Sequence, residues 1–131
     1  MKILAVFVLL TIAFSTWAYD LKLNNYLKMQ EALANDDFTA TLSAHEEICS
    51  KELTHYKESY KDCGKKFKDI EELRSSFKQL SLTFMVNGNT AELKNHMTAE
   101  CPMAKAKWIQ KVGTIKNPYY GKSMLECGQK I

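Results

Sequence analysis

The chain has 131 residues and a formal net charge of +3, with 46% hydrophobic and 25% charged residues. That length suits one domain with a real but not thick core, and so small a positive excess argues against nucleic acid as a partner. All four cysteines, Cys49, Cys63, Cys101 and Cys127, lie after residue 18. An even count in so short a chain reads as two disulfides in an oxidising compartment before it reads as metal binding or catalysis.

Residues 1–18, "MKILAVFVLLTIAFSTWA", have the form of a cleaved signal peptide: Lys2, an apolar run from Ile3 to Phe14, then Thr16 and Ala18 flanking Trp17 before the cut. The apolar run falls short of the about 20 residues of a membrane span. The expected mature product is a single secreted, extracellular domain, residues 19–131, without stable membrane insertion. No N-x-S/T sequon occurs.

In chain order, Leu23, Tyr26, Leu27 and Leu33 outline a short first helix. Asn35-Asp36-Asp37 then supplies N-cap oxygens for a long one, whose large residues (Phe38, Leu42, His45, Cys49, Leu53, Tyr56, Tyr60, Cys63) recur in steps of three and four, close to a period of about 3.6. Gly64 stands where a C-cap glycine would end it. A further stripe runs Phe67, Ile70, Leu73, Phe77, Leu80, Phe84 and stops at Asn87-Gly88; Asn89 with Glu92 resembles a capping box for the next helix. That helix carries Leu93, Met97 and Cys101 and is kinked or restarted at Pro102, and Trp108, Ile109 and Val112 continue its apolar face. Residues 113–122, "GTIKNPYYGK", form a loop, and "SMLECGQKI" is a short tail. The expectation is an all-α fold, a small disulfide-stapled bundle of four to five helices.

If the Phe38–Cys63 helix is continuous, Cys49 and Cys63 stand about 21 Å apart along its axis. A disulfide needs Cα atoms within about 7 Å, so a Cys49–Cys63 bond is excluded on that premise. The pairings 49–101 with 63–127, or 49–127 with 63–101, remain, and either would tie down the tail.

"HEEIC", residues 45–49, begins like the H-E-x-x-H helix of zinc hydrolases. Cys49 fills the second ligand place, and the disulfide expected there would remove it as a thiolate, so His45 reads as an interior histidine and no metal site is assigned. No nucleophile elbow, phosphate loop or dinucleotide-binding turn is present. Catalytic residues, cofactors and enzymatic activity are therefore not expected.

Charge is unevenly spread. Residues 19–63 hold five Lys against nine Asp and Glu, and residues 101–131 hold six Lys against Glu126 alone. Two binding functions follow. One is a carrier of a small apolar ligand between helices, with Phe38, Tyr56, Phe77, Phe84, Met97 and Trp108 lining the cavity. The other is an extracellular interaction or effector protein that meets a receptor, another protein or an anionic surface through the basic-aromatic segment, at Lys116, Tyr119, Tyr120 and Lys122.

Overall fold

The computed structural model describes residues 21–131; the expected leader, 1–18, lies outside them. Four α-helices, α1 (Asn24–Ala34), α2 (Phe38–Lys51), α3 (Ile70–Asn87) and α4 (Thr90–Lys94), precede a three-stranded antiparallel sheet of β1 (His96–Cys101), β2 (Ala106–Lys111) and β3 (Gln129–Lys130), ordered β2-β1-β3. The fold is mixed α/β, which corrects the all-α expectation.

The helix starts follow their caps. Asp37 accepts a hydrogen bond from the Ala40 amide at the head of α2, Asp69 from the Glu72 amide at the head of α3, and Asn89 from the Ala91 and Glu92 amides at the head of α4. Glu92 does not close a capping box; its carboxylate accepts instead from the Leu23 amide at 3.0 Å, joining the start of α1 to α4.

The expected long helix ends early. After Lys51 the chain continues as successive turns, with the Tyr56 amide on the Leu53 carbonyl and the Ser59 and Tyr60 amides on the Tyr56 carbonyl. Turns of this kind preserve the spacing of Leu53, Tyr56 and Tyr60 while the axis folds back. Leu53 and Tyr60 thereby reach the core. The same reversal brings Cys63 to Cys49, and the two form a disulfide with Cα atoms 5.6 Å apart. Both expected pairings, 49–101/63–127 and 49–127/63–101, are thus overturned, because the geometric exclusion of 49–63 rested on a continuous helix.

The segment read as a fourth helix keeps only the short α4 after the Asn89 cap and from His96 runs as a β-hairpin. Met97, Ala99 and Cys101 are buried and lie opposite Gln110, Trp108 and Ala106. The turn between the strands closes from the Lys105 amide to the Pro102 carbonyl, with Lys105 at φ 50°. Val112, expected on an apolar helix face, lies just past β2 and is 72% exposed.

One core joins these elements. Leu21, Tyr26, Met29 and Leu33, Ile48, Leu53 and Tyr60, Leu73, Phe77, Leu80 and Phe84, and Ala99 and Trp108 are all buried in a single cluster. Arg74 fastens its edge: the 8%-exposed guanidinium donates to the carbonyls of Pro118 and Leu33 and pairs with Asp36 and Glu71 at 2.6 Å each. Gly121, at φ 59°, sits against that pair, where a Cβ would come 2.0 Å from Asp36 Oδ1.

Candidate binding groove

The residues expected to line a ligand cavity are distributed between core and edge. Phe77 and Phe84 pack on Tyr26 at 5.0 and 4.8 Å between ring centroids, and Trp108 meets the Tyr119 ring edge-on at 5.9 Å. The Trp108 indole donates to Gln110 Oε1 at 2.9 Å. Met97 is buried in the same cluster, and Phe38 and Tyr56 pack partly buried at its rim. None of these six lines the grooves described below.

The basic-aromatic segment divides as well. Tyr119 is half-buried: its hydroxyl donates to the Lys107 carbonyl at 2.7 Å, and its ring also touches Phe77. Burial pushes its pKa well up. Buried Asn117 accepts from the Tyr119 and Tyr120 amides and donates to the Cys127 carbonyl, so the expected open loop is fastened from within. The Lys116 and Lys122 side chains are exposed, while their backbones are engaged, Lys116 with Gln30 and Gln110 and Lys122 with Asp36.

His45 faces the interior. Ser76 donates to Asp62 Oδ2 at 2.7 Å, the Tyr60 hydroxyl bonds Ser76, and His45 Nε2 lies 2.6 Å from the Tyr60 oxygen. With Asp62 as the terminal acceptor, Ser76 accepts from Tyr60 and the Tyr60 oxygen accepts from a neutral imidazole carrying its proton on Nε2. Burial lowers the His45 pKa; Asp62 and Glu46 act in the opposite sense without reversing it. Cys49 is oxidised, and among the described residues no group of three or more His, Cys, Asp or Glu side chains converges as a metal site.

Two surface grooves differ in chemistry. The larger, about 850 Å³ between α1 and α2, is lined mostly by polar residues with both charge signs present, and some of them pair with one another. Lys51 pairs with Glu47 at 2.6 Å, Asn25 donates to Glu52 Oε1 at 2.9 Å, and Asp37 caps α2. Glu52 Oε2 is buried without a hydrogen-bond partner among the described residues, and desolvation raises that carboxyl's pKa.

The smaller groove, about 310 Å³, lies between α3 and the β1–β2 turn, and its apolar lining comes from Leu82, Cys101, Pro102 and Ala106. Three lysines rim it: Lys78 from α3, and Lys105 and Lys107 from the turn and β2, against Glu100 alone. Lys78 donates to the Ala104 carbonyl at 3.4 Å, and Lys105 and Lys107 form no ion pair among the described residues. Leu82 and Val86, one turn apart on the outward face of α3, are 45% and 81% exposed. The sequence carries this stripe as Lys78, Leu82 and Val86 at steps of four, on the face opposite Phe77, Leu80 and Phe84. Comparison of the chain with protein-family models, curated proteins and solved structures finds no match.

Proposed function

We propose that the protein is a secreted, non-enzymatic binding protein that takes a small amphiphile with an anionic head in the groove between α3 and the β1–β2 turn. The observation that carries this reading is the pairing of an apolar lining with three lysines against one glutamate. An alkyl tail on Leu82, Pro102 and Ala106 leaves water, while a carboxylate or similar head gains charge-assisted hydrogen bonds from ammonium groups. The groove is at the lower end of ligand-site volumes, which suits a short chain lying partly in solvent. Secretion is supported by the leader-like composition of residues 1–18 and is compatible with the Cys49–Cys63 disulfide.

Calorimetric titration with dodecanoate, dodecanol and dodecyltrimethylammonium tests it. The expected result is saturable binding of dodecanoate that weakens with added salt, binding of the alcohol at least about tenfold weaker, and no saturable binding of the cation. Replacing Lys78, Lys105 and Lys107 by Glu should abolish dodecanoate binding while the Trp108 fluorescence of the folded protein is kept. Equal binding of all three amphiphiles, or none, would contradict the reading. Absence of binding together with capture of an acidic protein on the same lysines would favour an extracellular interaction protein instead.

A further inference from the structure

The structure points to a second covalent staple, independent of what the groove binds. Cys101 ends β1 in the core, and Cys127 lies just before β3, half-buried; their sulfurs are 3.4 Å apart. We infer that Cys101 and Cys127 form a disulfide that fastens the C-terminal tail to the sheet.

The backbone already holds both residues for it without help from sulfur. Cys101 is placed by its strand pairing with Ala106. On the other side, the Cys127 amide donates to the Met124 carbonyl at 3.1 Å and its carbonyl accepts from Asn117 Nδ2 at 2.6 Å. Beyond it β3 pairs with β1, Gln129 against Glu100 and Lys130 against Ala99, and the Ile131 amide donates to the Thr98 carbonyl. Gly128 makes the turn into β3 at φ 147°; a Cβ there would come 2.8 Å from the Trp108 ring and 2.9 Å from the Glu100 carbonyl. The tail therefore has one close seat beside Trp108, and in that seat the two sulfurs face each other. Bond formation draws them together by about 1.4 Å, to the usual bonded separation of about 2.0 Å, within reach of a side-chain rotation.

The chemistry balances by thiol–disulfide exchange with a low-molecular-weight disulfide such as oxidised glutathione. The Cys127 thiolate, on the accessible side, attacks the reagent's S–S bond, forms a mixed disulfide and releases one reagent thiolate. The Cys101 thiolate then attacks Cys127 Sγ, forms the Cys101–Cys127 bond and displaces the second reagent thiolate. Two protein thiols lose two protons and two electrons, and the reagent leaves as two thiols.

The test is non-reducing peptide mapping of the full chain expressed through a eukaryotic secretory route, with thiols alkylated before digestion. Trypsin cuts at Lys94, Lys105, Lys122 and Lys130 and so places Cys101 and Cys127 on separate peptides. The expected product is residues 95–105 disulfide-linked to residues 123–130, with no alkylated cysteine. Alkylated Cys101 and Cys127, or either one bonded to Cys49 or Cys63, would overturn the inference. Amide hydrogen exchange gives a second readout on the Cys101→Ser/Cys127→Ser protein, in which Cys49–Cys63 is retained. Residues 124–131 should exchange at least about tenfold faster than in the oxidised parent, and an unchanged rate would refute the fastening role.

Discussion

His45 shows how one buried side chain sets a pH limit. It meets Tyr60, the edge of Phe67 and the Cys49 sulfur, and it feels the charges of Asp62 and Glu46. Burial lowers its folded-state pKa, so the folded protein prefers the neutral imidazole, whereas the unfolded chain takes up a proton below about pH 6.5. The sign follows. The stability that His45 supplies is fully present above about pH 6.5 and declines as pH falls toward the lowered folded-state value. Urea denaturation at pH 7.5 and 5.5 should show a lower midpoint at the acid value, and His45→Gln should shrink that difference. An equal pH dependence in the variant would remove His45 as its source. Arg74 gives a larger effect: its partners come from the end of α1 (Leu33 and Asp36), its own helix (Glu71) and the 113–122 loop (Pro118), so Arg74→Ala should cost roughly 3 kcal/mol in denaturant unfolding. Tyr119→Ala should cost roughly 3 kcal/mol and Tyr120→Ala less, because Tyr119 packs on Phe77 and Trp108 and donates to the Lys107 carbonyl. A Tyr119→Ala protein of unchanged stability would return that residue to the surface role its sequence context suggests.

At the scale of elements, the helix caps up to Asn89 were readable, whereas the turns after Lys51 and the hairpin from His96 were not, for a definite physical reason. The starts of α2 and α4 follow Asp37 and Asn89, and the end of α3 falls at Asn87-Gly88, because caps and turn residues act locally. Met97 and Cys101, like Trp108 and Val112, are four residues apart. A step of four stays on one face of a helix and also, being even, on one face of a strand, so those pairs do not discriminate the two periods. The residue between Met97 and Cys101 that does is Ala99, buried opposite Trp108, but alanine is a weak hydrophobic signal in sequence. Similarly, Leu53, Tyr56 and Tyr60 keep helical spacing in a run of turns whose reversal comes from core burial and the disulfide, both long-range effects. Replacing Cys49 and Cys63 by Ser should therefore destabilise the protein by about 3 kcal/mol, as expected for a loop of this size, with loss concentrated in residues 52–66 by hydrogen exchange. On α3, Leu82→Asp should leave stability within about 0.5 kcal/mol, since that position faces solvent, while removing amphiphile binding.

Across the whole molecule, part of the charge asymmetry cancels internally. Lys111 reaches Glu31 at 3.8 Å, and the Lys122 amide donates to Asp36, so the basic C-terminal segment touches the acidic α1–α2 end. Lys105 and Lys107 lie apart from that exchange and face the groove across from Lys78. The lysines were visible in the sequence, but their convergence on an apolar groove was not, because Lys78 arrives from a helix and its companions from a hairpin read as helical. Of the residues expected to surround a ligand between helices, Phe77, Phe84, Met97 and Trp108 pack in the shared core and Phe38 and Tyr56 at its rim, while the proposed site lies on the outer side of α3. The most direct measurement is photo-crosslinking with a diazirine-bearing dodecanoate analogue, followed by peptide mapping of the full chain. The account predicts adducts on residues 78–86 and 101–107, competed away by dodecanoate. Adducts confined to the α1–α2 groove, or labelling that dodecanoate does not compete, would contradict it.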